Sequence, residues 1–157
     1  MDGYMALRAF VPPPERRGLV LIDPPYEEPG ELEIAAEAAA RAWRKWPTGI
    51  CALWYPVKDK SKAASIPQIF ARRGVGRAMR LEFQIDPPAP QRPLARCGMW
   101  ILNPPFELDE QAKAALPWLA KRLGNGKPGY VVDWLGEGDR QGEGRGRLSK
   151  GGSAPIS

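Results

Sequence analysis

The run Leu19-Val20-Leu21-Ile22-Asp23-Pro24-Pro25-Tyr26 sets a carboxylate, two prolines and an aromatic ring directly behind four apolar residues. Those groups suit an exocyclic amine on a flat base. The Asp23 side chain and the Pro24 carbonyl are two acceptors for the two hydrogens of an amino group, and Tyr26 offers a ring for stacking. An amine conjugated to a base is a poor nucleophile because its lone pair is delocalised. Acceptors that favour a more tetrahedral nitrogen help only where they bind better in the transition state than in the ground state. Pro24 and Pro25 keep those acceptors rigid, as positioning requires. The same residues are also ordinary turn chemistry, with the ring as a piece of core. A buried strand before the motif and a helix after it favour the chemical reading.

The chain carries its own comparisons. Ile85-Asp86-Pro87-Pro88-Ala89 has the acid and the prolines but no ring, and it reads as part of a proline-rich loop. Met99-Trp100-Ile101-Leu102-Asn103-Pro104-Pro105-Phe106 is a closer rival, because it too ends an apolar strand. The repeat of strand, Pro-Pro and aromatic reads as one strand-end geometry used twice, without duplication.

The elements must hold these groups in place. Proline gives no N–H to a ladder and disfavours the α region at the preceding residue, so strand 18–23 stops at Asp23. Its unbroken apolar run predicts cover on both faces, as in a parallel sheet. Asp23 then lies at the carboxyl end of a central strand, where ligands bind in open α/β sheets. Asp2-Gly3 opens a short helix with Leu7 and Phe10 inward. Glu31 to Trp46 is an Ala-rich helix with acids early and Arg41, Arg44 and Lys45 late, the order that complements the helix dipole. Ile50 to Val57 reads as a strand, Lys60 to Arg73 as a helix with Pro67 at a start or kink, and Ala78 to Ile85 as a strand. A proline-rich loop (86–93), strand 98–102, helix 109–123 with Leu116, Leu119 and Leu123 on one face, and strand Tyr130 to Leu135 follow. This alternation predicts an α/β sheet with crossover helices. Gly136 to Ser157 is Gly-rich with almost nothing large and apolar, so 136–157 is expected to be a disordered tail behind a domain at 1–135.

Composition narrows the functions. At 157 residues, 43% of them hydrophobic, the chain is a single folded domain with a real core. No stretch approaches the roughly 20 apolar residues of a membrane span, and no secretory signal is evident at Met1-Asp2-Gly3-Tyr4. Cys51 and Cys97 form no CxxC pair, which reads as reduced thiols in the cytoplasm. With no histidine, a His-based triad is excluded and no metal is expected. The net charge of +5 leans toward a nucleic-acid partner, with Arg72, Arg73, Arg77 and Arg80 the densest basic group.

Asp23-Pro24-Pro25-Tyr26 after such a strand resembles the signature of S-adenosylmethionine-dependent methyltransferases that act on adenine or other exocyclic amines; Asn-Pro-Pro-Phe is a variant found among them. The ordered series is more specific. Asp2-Gly3, then Val11-Pro12-Pro13-Pro14-Glu15-Arg16-Arg17-Gly18 running into Asp23–Tyr26, then Trp46-Pro47-Thr48-Gly49, Trp54-Tyr55-Pro56-Val57 and Asn103-Pro104-Pro105-Phe106 resemble the RlmJ-like family. Those proteins are adenine-N6 methyltransferases of large-subunit ribosomal RNA. The resemblance implies a Rossmann-like methyltransferase sheet, S-adenosylmethionine as donor, ribosomal RNA as partner, and Asp23, Pro24, Pro25 and Tyr26 as the catalytic motif. Asp2 and Gly3 would belong to the cofactor pocket with Asp23, Asp2 accepting from the adenine of the cofactor at a strand end. Family members carry earlier strands and a glycine-containing loop for the methionine end, so the chain resembles their C-terminal part and implies a partial sheet, open at one edge, short of an N-terminal half. An inactive RNA-binding remnant and a DNA adenine-N6 methyltransferase are the alternatives.

Overall fold

The computed structural model describes residues 2–57, 63–86, 94–124 and 128–135. Its elements run α1 (Gly3–Phe10), β1 (Leu19–Ile22), α2 (Glu31–Lys45), β2 (Ile50–Pro56), α3 (Ser65–Arg72), β3 (Ala78–Gln84), β4 (Arg96–Leu102), α4 (Leu108–Leu123) and β5 (Gly129–Trp134). The strands form one sheet in the order β1-β2-β4-β3-β5. β1 and β2 pair in parallel across the α2 crossover, and β4 is inserted antiparallel between β2 and β3. β5 pairs antiparallel with β3 at the far edge. The fold is thus the expected α/β sheet with crossover helices. β1, β2 and β3 point one way; β4 and β5 point the other.

Residues in register share a face of the sheet. One such row is Val20, Cys51, Leu102 and Ala78; the next is Ile22, Leu53, Trp100 and Arg80. These rows carry the main core, which α2 and α3 cover. α2 offers it only small side chains, Ala35, Ala36, Ala38, Ala39, Ala40 and Ala42, so the helix can lie close to the strands. Tyr55, Phe70 and Leu53 fill the space between, each burial stabilising by about 1.5–3 kcal/mol. Gly98 faces the Tyr55 ring across the ladder; a Cβ there would meet the ring at 2.4 Å, so no larger residue fits.

Three packing expectations are corrected. β1 is not covered on both faces: Leu19 and Leu21 are 63% and 57% exposed, because they alternate away from Val20 and Ile22, which face the core, and β1 is also an edge strand that pairs only with β2 among the described residues. Phe10 does not point inward; it is 66% exposed at the end of α1, whose Tyr4 and Leu7 pack against the core. On α4 the buried positions are Ala112 and Ala120, and Leu123 is exposed. The proline-rich segment 87–93 and the tail 136–157 lie outside the described residues. Among the described residues no helix is long and apolar enough to cross a membrane.

Candidate functional site

β1 stops at Ile22, whose partner in register is Leu53, so Asp23 comes level with Trp54 on the neighbouring strand. The Asp23 side chain is exposed, Pro24 and Tyr26 are half-buried and Pro25 is exposed. Among the described residues the Asp23 carboxylate has no hydrogen-bond or ion-pair partner. Tyr26 is held firmly. Its backbone is left-handed (φ 57°), its hydroxyl donates to the Trp54 carbonyl, and its ring lies 6.0 Å from that of Trp54 at 49°. Burial, then the neighbouring Tyr4 and the Asp23 carboxylate, push the Tyr26 phenol far above its ordinary range, so it remains a neutral donor. Behind the motif, the Glu27 N–H donates to Glu31 Oε2 at 3.0 Å, which ties the loop to the first turn of α2. The result is a free carboxylate beside a fixed ring.

Asp2 is the N-cap of α1; its Oδ1 accepts from the Tyr4 N–H at 2.9 Å. The short helix expected to open at Asp2-Gly3 is present, with Asp2 at its cap. The capping bond engages Oδ1 alone, and nothing stands within 4 Å of where a Gly3 Cβ would be. The pair therefore keeps a free acceptor beside open space, which fits a nucleoside amino group. Tyr4, beside Asp2 on α1, packs against the same core cluster as Tyr26. Its phenol is raised by burial and by Glu31 and Asp2, and it acts in turn on Tyr26. Reading the sequence missed both Tyr4 and Trp54. The signal for Trp54 was the parallel register of β1 and β2; for Tyr4 it was the helical offset from Asp2.

The rival motif lies elsewhere. β4 runs antiparallel to β2 with Leu102 beside Cys51, so Asn103 emerges at the opposite edge of the sheet from Asp23. Its Nδ2 donates to the carbonyls of Pro47 and Gly49, both at 3.2 Å. Its backbone is left-handed (φ 55°), and Phe106 is 83% exposed.

Three comparisons bear on this arrangement. Residues 1–136 match the family model described as ribosomal RNA large subunit methyltransferase D, RlmJ. The chain belongs to the RlmJ family. Over 135 residues it is 35% identical to the ribosomal RNA large subunit methyltransferase J of Haemophilus influenzae and 34% identical to that of Escherichia coli. Each alignment takes in 85% of this chain and 48% of the relative, so the chain spans about half the length of the curated relatives it matches. A crystal structure of a Legionella pneumophila protein superposes with a TM-score of 0.77 at 31% identity, covering 87% of this chain and 51% of that one. The RlmJ-family sheet is accordingly a Rossmann-like methyltransferase sheet.

The four arginines expected to meet phosphates do not form one patch in this RlmJ-family chain. Arg73 Nε donates to Glu37 at 2.7 Å, Arg77 lies 5.4 Å over the Trp134 ring, and Arg80 pairs with Asp133. Strand alternation turned Arg80 onto the core face, where Glu82 is also buried. There Glu82 accepts from the Tyr55 hydroxyl at 2.7 Å and pairs with Arg96, with Arg80 Nη1 at 3.7 Å. That network satisfies a buried carboxylate, and burial together with Glu82 raises the Tyr55 phenol far above its usual range. Arg92 and the Lys58, Lys60 and Lys62 group lie outside the described residues.

Proposed function

We propose that this chain forms the methyl-transfer part of an adenine-N6 methyltransferase of large-subunit ribosomal RNA. The observation that carries the reading is the unpartnered Asp23 carboxylate at the carboxyl end of β1, within a chain of the RlmJ family. S-adenosylmethionine, when bound, supplies a methyl group on a sulfonium centre. Asp2 and Gly3 would hold its adenosine side. Asp23 and the Pro24 carbonyl would accept hydrogen bonds from the two N–H groups of the target amine and turn the nitrogen lone pair toward the methyl group, and the proton that the nitrogen sheds after transfer passes to solvent. As the nitrogen gains positive charge, the Asp23 carboxylate opposes it, a gain made mainly in the transition state. Tyr26, fixed through Trp54, gives the target base a ring to lie on.

Support for a larger whole comes from the surface of β1. β1 ends the sheet order and pairs only with β2 among the described residues, and an unpaired strand edge of that kind is ready to accept another strand; Leu19 and Leu21 beside it present exposed apolar side chains. We place this chain as the C-terminal part of the family's domain, with residues 1–135 as the catalytic portion and the cytoplasm as the place of action. Cys51 and Cys97, both free thiols, agree with a reducing compartment.

The test is methyl transfer from radiolabelled S-adenosylmethionine to unmodified large-subunit ribosomal RNA. It is run with the chain alone and with the chain joined to the N-terminal half of a relative. Label recovered as N6-methyladenosine from the joined protein is the expected result. A folded joined protein that binds S-adenosylhomocysteine by calorimetry and leaves adenine unlabelled would overturn the reading.

A further inference from the structure

α1 and α2 lie side by side and leave an open groove of about 300 Å³, lined by Tyr4, Arg8, Ala38, Arg41, Ala42 and Lys45 among others. Its floor is small and apolar. Three of its walls carry positive charge, and no carboxylate lines it. Much of that charge is unspent. Among the described residues the Arg8 guanidinium has no partner; Lys45 Nζ reaches the Arg8 carbonyl at 3.4 Å, and Arg41 stands 3.8 Å from Glu37. The Tyr4 hydroxyl is shielded from solvent yet has no hydrogen-bond partner. Buried hydroxyls nearly always have one, so this one marks the groove's inner end as unusual.

Cations near helix C-termini are common because they complement the helix dipole. That accounts for Arg8 and Lys45 singly. It does not account for three cations and an orphan hydroxyl converging on one groove. Arg41 and Lys45 are one turn apart, a rise of about 6 Å, so they present separated charges along a line. Tyr4 closes that line one α1 turn from Arg8 and packs against the same core cluster as Tyr26.

We propose that the α1–α2 groove binds the sugar–phosphate backbone of the substrate RNA and leads it toward the Asp23 motif. Phosphate oxygens would take hydrogen bonds from Arg8, Arg41 and Lys45. Such contacts set position and register and carry no base information. The proposal rests on RNA as the substrate.

The test uses the full chain and a fluorescein-labelled single-stranded oligoribonucleotide of mixed sequence, with affinity followed by anisotropy across a salt series. The groove variant is Arg8→Gln/Arg41→Gln/Lys45→Gln. A control of equal charge change, Lys113→Gln/Lys121→Gln/Arg122→Gln, sits on α4. Three lost phosphate contacts on a single strand should make the plot of log K against log salt shallower by about 2 for the groove variant and leave the control near wild type. Equal slopes in all three proteins, or an equal change in groove and control variants, would overturn the groove while RNA binding itself stands. No binding by the wild-type chain would remove both the groove and the RNA reading.

Discussion

Asp23-Pro24-Pro25-Tyr26 ends a strand that runs one way through the sheet, and Asn103-Pro104-Pro105-Phe106 ends a strand that runs the other way. The letters are nearly the same, but the side chains are spent differently. Asp23 keeps a carboxylate without a partner, while Asn103 uses both amide hydrogens on the Pro47 and Gly49 carbonyls. The rings are reversed as well: Tyr26 is fixed through its hydroxyl and Phe106 stands in solvent. Even the backbone differs. The left-handed residue is the fourth in the first motif and the first in the second, with Glu107 left-handed just behind it. A strand end with two prolines is therefore a frame. Whether it does chemistry depends on what its polar side chain has left to offer.

The comparison breaks most directly at Asp23. In a protein assembled to full family length, Asp23→Ala should cut methyl transfer by about 10²–10³ with the melting temperature unchanged, as for loss of one preorganised transition-state contact. Initial rates with radiolabelled donor at saturating RNA measure this.

The second motif should fail in stability. Asn103→Ala removes two hydrogen bonds and a residue tolerant of positive φ, at a cost of about 1–3 kcal/mol in urea unfolding. Turnover per folded molecule should not change. Gly49, which receives one of those bonds, sharpens the point. A Cβ there would stand 2.1 Å from the Trp46 ring, so Gly49→Ala should cost about 1–3 kcal/mol by forcing the ring aside. The smallest effect is expected at Phe106. Being exposed, Phe106→Ala should alter stability by less than about 0.5 kcal/mol, and a larger loss in the same unfolding assay would mean that the ring packs somewhere.

Much of the frame was legible from the sequence. The Ala-rich run gave α2, since helix ends with acids early and bases late are written locally. Pro24 and Pro104 marked two strand ends for the same local reason. Strand direction was not legible, because β4 reverses through pairing with distant residues, and that reversal separates Asn103 from Asp23. Burial failed where cover depends on neighbours: the apolar letters of Leu19 and Leu21 promise a core that lies on one side of β1 only. The arginines failed similarly. Arg73, Arg77 and Arg80 are close in sequence, yet they meet three different partners: Glu37, the Trp134 ring and Asp133. The candidate site was read at Asp23 and Tyr26, while Trp54 and Tyr4 needed the register of a parallel pair and the packing of α1.

The reciprocal exchange tests the division of labour most directly. Asp23→Asn and Asn103→Asp are compared in one methyl-transfer assay on unmodified large-subunit ribosomal RNA, with rates normalised to folded protein by circular dichroism. Asp23→Asn can present an NH₂ where an acceptor is needed and loses the charge opposing the developing cation. It should lose about 10²–10³ in rate and no stability. Asn103→Asp places a carboxylate against two carbonyls; it should unfold more easily and transfer methyl groups at the wild-type rate. An active Asp23→Asn beside a folded but inactive Asn103→Asp would contradict the account and move the chemistry to the other edge of the sheet.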